Sequence, residues 1–172
     1  LKHIQDYPEQ IVGIVVPELE TLRDQVGSIF EAVIPKSCLN ISAPYSLAKY
    51  AVIDAALLIL QLAKPVFNFS DLSLLLRSPF ITGYTLEGDL RAQFDRKLRD
   101  QVSATMSWDM LIKILFNTEL EFYKKSVNFK ENLDTLHGKH SAEHWALRIQ
   151  NLLQCWGWPG ERVLTATDAD LL

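Results

Sequence analysis

His137, His140 and His144, with Glu143 beside them, are the one cluster in this chain built from metal-ligand residue types. For His140 and His144 to share a helix face, a helix would have to begin before Ser141, and no HExxH or Cys/His pattern supports the group. These histidines are expected as solvated loop and cap residues. A phosphate-binding loop needs glycines after a strand, so that backbone N–H groups can approach the anion. After Ile11 to Val16 the turn instead reads Val16-Pro17-Glu18, where proline removes a donor and glutamate repels. Gly138-Lys139 is followed by His140 and has no glycine five residues before it. Arg91, Arg96, Lys97 and Arg99 are clustered cations of the type that contact nucleic-acid phosphates. Their carboxylate neighbours lie at the i,i+4 spacing (Glu87 to Arg91, Asp95 to Arg99, Arg96 to Asp100), so a self-neutralised surface face is expected. Without a Gly-x-Ser-x-Gly elbow, a paired-carboxylate motif or a Cys with an evident His partner, the chain is expected to hold no catalytic residue, metal or cofactor.

The elements that would position these residues are mostly helical. Ile11 to Val16 (IVGIVV) has the β-branched composition of a strand buried on both faces. Pro17 fits the first position of a following helix, with Leu19, Leu22, Val26, Ile29, Phe30 and Val33 as its apolar stripe. Cys38 to Ile41 is expected to return as a second, parallel strand by a βαβ crossover. Ala51 to Ala63 is apolar almost all round, interrupted by Asp54 and Gln61, and predicts a buried helix around which the rest is organised. At fewer than the ~20 residues needed, it is too short to span a membrane. Ser70, Ser107 and Ser141 are expected helix caps. Leu86, Leu90, Phe94 and Leu98 are expected to share the inward face of a helix from Leu86 to Val102. Trp108, Leu111, Ile112 and Leu115 mark the next helix, and Glu119 to Val127 another. After a polar segment from Asn128 to His140, Trp145, Ile149, Leu152, Leu153 and Trp156 are expected inward on the last helix. The four tryptophans and Phe67, Phe69 and Phe80 are expected mainly in the core; a stacking platform for single strands is the lesser reading.

The 172 residues are 48% hydrophobic and 22% charged, the composition of a folded globular domain. A formal net charge of -4 gives no global attraction to phosphate backbones or anionic lipids, so any nucleic-acid contact has to be local. Cys38 and Cys155 are too few and too far apart for a disulfide scaffold and are expected as reduced thiols. No secretory signal is visible, and a cytoplasmic protein without membrane association is expected. Beginning at Leu1 rather than Met, the chain reads as a piece of something longer.

Three segments taken together carry a resemblance: VGIVVPELETLRDQVGSIFEAV, then NISAPYSLAKYAVIDAALLILQL, then DLSLLLRSPFITG. Their order resembles that in superfamily-one helicases of the UvrD, RecB and AddB kind, in which a strand of the second RecA-like domain leads into a helix, a short strand and a helical accessory region. The pairing of LLRSPF with the later WALRIQNLLQCWGWPGERVL is similar to a group of AddB-like bacterial probable DNA repair proteins, which combine an inactivated helicase-like region with a C-terminal nuclease domain. The resemblance covers roughly 11–83 and 141–164. It implies a non-catalytic piece of a DNA repair or recombination protein, and it makes Arg77, Ser78 and Pro79, with Trp158, Pro159, Gly160 and Arg162, the candidate DNA-contact residues. On their own chemistry, Arg77 would cap the carbonyls ending its short helix, and Trp158-Pro159-Gly160 would be a turn with an aromatic anchor.

The expected fold is therefore mainly α: a multi-helix domain with a small two-stranded parallel β element near the N-terminus. Residues 1–43 would be the strand-helix-strand remnant of a RecA-like helicase domain, 44–160 a helical accessory domain, and 161–172 an extended tail. The expected function is a non-catalytic accessory domain of a DNA repair nuclease, helping to hold DNA or to position a nuclease domain. Its partners would be DNA, other domains of the same polypeptide, or a helicase or nuclease subunit. The alternative is a helical protein-interaction scaffold without nucleic-acid binding.

Overall fold

The computed structural model describes residues 11–42 and 47–164. The chain divides into two compact units, 1–46 and 47–172. In the first, helix α1 (Leu19–Glu31) is preceded by residues without regular structure and followed by a 3₁₀ turn at Lys36–Cys38. Glu18 takes the N-cap position without a side-chain capping hydrogen bond, so Pro17 precedes the helix instead of holding its first position. No residue of α1 is buried, and Ile11, Val12, Ile14 and Val15 are all exposed.

The expected parallel strand pair is thus corrected. Ile11 to Val16 has no ladder partner among the described residues, and Cys38 belongs to the 3₁₀ turn. A strand buried on both faces needs a sheet and two covering layers, and one amphipathic helix supplies neither.

The second unit contains α2 (Ala51–Gln61), β1 (Val66–Asn68), α3 (Phe69–Leu76), α4 (Tyr84–Gln101), β2 (Thr105–Ser107), α5 (Trp108–Leu115), α6 (Glu121–Asp134) and α7 (Ala142–Cys155). β1 and β2 pair antiparallel, with Val66 opposite Ser107 and Asn68 opposite Thr105. Each strand runs directly into a helix. Three residues are too few for an alternating pattern, so neither strand stood out from the helices beside it.

The centre of the core is aromatic. Trp108 lies 4.7 Å from Phe67, 5.0 Å from Phe129 and 6.2 Å from Trp156 between ring centroids, and Phe122 lies 4.7 Å from Trp156. The Trp108 indole N–H donates to the Leu62 carbonyl at 3.1 Å, which satisfies its polar edge and fastens the end of α2 to the same cluster. α2 buries Val52, Ala55, Ala56, Leu58 and Ile59, while Asp54, Leu57 and Gln61 form an outward stripe. It is one wall of the core rather than its axis. Ser107 and Ser141 accept hydrogen bonds from the backbone N–H groups of Met110 and His144, capping α5 and α7 as expected. Asn68 takes the capping position of α3, and the Ser70 hydroxyl instead donates to Asp71 inside the first turn. α6 runs on to Asp134, through the first half of the stretch expected to be a polar segment, and Phe129 plugs into the aromatic core there. Trp145 and Ile149 are more than a third exposed, leaving Leu152 and Trp156 as the deeply buried residues at that end. Among the described residues no helix is long and apolar enough to cross a membrane.

Candidate nucleic-acid interface

α3 and α4 position the site. Ser70, Ser73, Leu74 and Arg77 fall on one side of α3, spaced as neighbours on a helix surface. Together with Asn68, Phe69, Arg99 and Ala104 they line a groove of about 520 Å³. Arg99 enters it from the last turn of α4.

Beneath the two arginines lies a single carboxylate. Asp95 is buried, and its Oδ2 accepts from Arg99 Nη2 at 2.9 Å and Nε at 3.2 Å, with Arg77 Nε 3.8 Å away. The buried Ser73 hydroxyl accepts from Arg99 Nη2 at 2.6 Å and Arg77 Nη2 at 3.3 Å. Arg77 Nε also donates to the Ser73 carbonyl at 3.1 Å, so this side chain does cap the end of its own helix. Both arginine side chains remain half exposed. Two cations converge on one carboxylate, and their outer edges face the groove. At the opposite end, Asn68 and Ser70 direct donors at Asp71, so the cationic character belongs to the Arg77–Arg99 end.

The other residues singled out in the sequence are brought together elsewhere in the unit. The turn after α3 packs against the turn after α7. Thr82 N–H donates to the Trp156 carbonyl, the Thr82 hydroxyl to the Gly157 carbonyl, and Gly83 N–H to the Glu161 carboxylate. Gly160 has a φ of 88°, and a Cβ there would lie 2.8 Å from the Pro79 carbonyl oxygen. LLRSPF and WGWPGERVL are therefore spatial neighbours. Their side chains are nonetheless engaged in structure: the Ser78 hydroxyl accepts from Phe80 N–H at 3.2 Å, and the Trp158 indole N–H donates to the Val52 carbonyl at 2.8 Å. The peptide before Pro159 is cis. The exposed Arg162 lies over the Phe80 ring, 5.6 Å from its centroid, and is not among the groove residues.

The expected self-neutralised face on α4 is also corrected. Leu86 and Leu90 point outward, while Arg91, Phe94, Asp95 and Leu98 point in. Arg91 is fully buried. It donates to Glu87 at 3.0 and 2.8 Å and to the Thr82 carbonyl at 2.8 Å, with its guanidinium over Phe122. Glu87 in turn accepts from the backbone N–H of Glu121. The pairs at Glu87–Arg91 and Asp95–Arg99 form, but both reach into the interior. No Arg96–Asp100 pair occurs among the described residues, and Arg96 is exposed one turn from Arg99. The sequence signal for Arg99 was present, but its exposure was not: the i,i+4 spacing is compatible with either partner being the buried one.

The histidines stack rather than ligate. His140 and His144 lie 4.2 Å apart between centroids, a His140 ring nitrogen sits 2.8 Å from the His137 carbonyl, and Arg148 Nε donates to His144 Nε2 at 3.1 Å. Partial burial, then His140 and then Arg148 push the His144 pKa below the ordinary histidine value. Burial likewise pushes the Cys155 thiol up, which disfavours its reactive thiolate. No group of three His, Cys, Asp or Glu residues able to hold a metal occurs among the described residues.

Compared with protein-family models, with curated proteins and with solved structures, the chain matches none.

Proposed function

We propose that this chain is a non-catalytic accessory domain of a DNA repair or recombination protein, and that it helps hold DNA beside a nuclease domain or subunit. The observation that carries this reading is the groove between α3 and α4, where two half-exposed arginines share one buried carboxylate in a protein of net charge -4. Local positive charge of this kind is what an acidic protein needs in order to touch a phosphate backbone. The resemblance of LLRSPF and WGWPGERVL to AddB-like repair proteins adds support, since Arg77 belongs to the first of these stretches. Ser78 and Trp158 act in this reading by holding the turns, and Arg162 lies outside the groove. The test is binding of the protein to labelled single-stranded and duplex DNA at low salt, followed by a salt titration. Saturable binding that weakens as salt rises is the expected result, and no binding at low salt sinks the reading.

A helical interaction scaffold is the second reading. The observation that favours it is the first unit, where Ile11, Val12, Ile14 and Val15 are exposed beside an α1 none of whose residues is fully buried. β-branched residues in such a run gain stability only when another surface covers them. The α5 and α6 helices give it less support, because Trp108 and Phe122 are both buried, although Met110 and Phe116 remain exposed.

A further inference from the structure

The Arg77–Arg99 groove has a definite charge balance. Asp95 occupies Nε and Nη2 of Arg99 and attracts Nε of Arg77, and Ser73 takes one Nη2 from each. Nη1 of both arginines makes no hydrogen bond among the described residues. What remains without a partner among the described residues is therefore the Nη1 pair of each arginine and one N–H of Arg77 Nη2, with one net positive charge on the Arg77–Arg99–Asp95 group. Phe69 is the aromatic side chain of the lining, and the Arg99 guanidinium lies 5.8 Å from its ring centroid. The guanidinium thus occupies one face of this ring.

We infer that the groove is a phosphate site of single net charge, suited to one phosphodiester and indifferent to the base attached, with Asp95 as a resident anion that limits its affinity. The inference deepens the DNA-holding reading and rests on it for the source of the phosphate. Each Nη1 can donate to a phosphate oxygen, so the two arginines together would grip one phosphate from two sides, and one net charge complements a phosphodiester monoanion better than a dianionic terminal phosphate. Ser73 and Asp95 hold the two forks so that little side-chain freedom is lost on binding. Asp95 therefore has two opposed effects: it orients the arginines and it competes with the incoming anion. Asn at this position keeps an oxygen acceptor for Arg99 and removes the competing charge.

The experiment measures binding of fluorescein-labelled dT and dA oligonucleotides to the whole chain across a salt series. It uses the wild type, Arg77→Gln, Arg99→Gln, Asp95→Asn, and Lys124→Gln on the exposed side of α6 as a control. Thermal melts establish that each variant is folded; of the groove variants Arg77→Gln is the least coupled to folding, because Arg77 approaches the buried Asp95 only to 3.8 Å. A site engaging one or two phosphates gives a slope of log affinity against log salt of about -0.7 to -1.4 on single strands. Arg77→Gln is expected to flatten that slope by roughly 0.7, and Asp95→Asn to tighten binding about fivefold at low salt. The dT and dA oligonucleotides should bind alike, and Lys124→Gln should bind as the wild type does. If oligonucleotides bind but Arg77→Gln and Asp95→Asn change nothing, the groove is not the site, although the DNA-holding reading stands. If no oligonucleotide binds, yet inorganic phosphate shifts the amide resonances of Ser73 and Arg77, the phosphate site stands with free phosphate as its source and the DNA-holding reading falls. If neither ligand has an effect, both are overturned.

Discussion

Two arginines on α4, two turns apart, have a carboxylate four residues before them, and they are used in opposite ways. At Glu87–Arg91 the cation is inside: Arg91 is fully buried against Phe122 and donates to the Thr82 carbonyl. At Asp95–Arg99 the carboxylate is inside, and half of the arginine side chain stays in solvent. The sequence motif is the same; the depth at which each arginine sits differs. A buried cation can only serve the fold, whereas a buried carboxylate beneath an exposed cation holds a positive charge at the surface in a fixed orientation. Both carboxylates are largely enclosed, and it is the exposure of Arg99 against the burial of Arg91 that makes one pair a candidate site and the other a brace.

The difference can be broken at its strongest point by Arg91→Met. Removing a buried cation and leaving Glu87 without its partner is expected to cost about 3–5 kcal/mol, read from urea denaturation. A loss below about 1 kcal/mol would mean that the pair behaves like a surface one and that the contrast with Arg99 is false. Gly157→Ala tests the turn that receives Thr82, to which Arg91 is tied. Gly157 has a φ of 63°, and a Cβ there would overlap the Thr82 side chain. A destabilisation of about 2–3 kcal/mol is expected, and an unchanged denaturation midpoint would show that the turn moves freely.

Arg99→Gln sharpens the comparison from the other side. Its partner is buried but the arginine is half solvated, so a stability loss of about 1 kcal/mol is expected, well below that of the Arg91 variant. Equal losses in the same denaturation experiment would remove the distinction. The smallest effect concerns a third arginine at the same spacing, Arg148, whose partner is the uncharged His144. Because the folded state holds the His144 pKa below 6.5, the unfolded chain binds more protons between the two values. Stability is then fully present above the ordinary histidine pKa and declines as pH falls through it towards the lower folded value. His144→Gln should flatten that part of a stability-against-pH curve; an unaltered slope would assign the acid sensitivity to other groups.

Much of the helical order was legible because helices announce themselves locally. The Ser107 and Ser141 caps, and the apolar run of Ala51 to Ala63, can be read from a few adjacent residues. What could not be read depended on distant partners. Leu86 and Leu90 look more apolar than Arg91 and Asp95, yet the charged residues go inside because Thr82, Ser73, Arg77 and Arg99 arrive to pair with them. The parallel strand pair failed for the converse reason: Ile11 to Val16 has the composition of a buried strand, but composition does not supply a neighbour. For the candidate site, Arg77 was reached through a resemblance and its capping role through its position, while the pairing with Arg99 follows only from the packing of α3 on α4.

The closing of the core also has an order in time. Trp156 lies among Trp108, Phe122 and Phe129, and its neighbours Gly157, Trp158 and Glu161 bond to Thr82, Val52 and Gly83. During synthesis the chain emerges from its N-terminal end, so these aromatic rings must wait for the last described helix before their shared cavity is filled. Until Trp156 has cleared the ribosome, the nascent unit exposes the apolar surfaces it will later bury. The helices between can form as they appear, but the turn that follows α3 has nothing to close against. A ribosome stalled before Trp156 would therefore display an incomplete domain open to chaperones and proteases, and one stalled well beyond Glu161 a closed one.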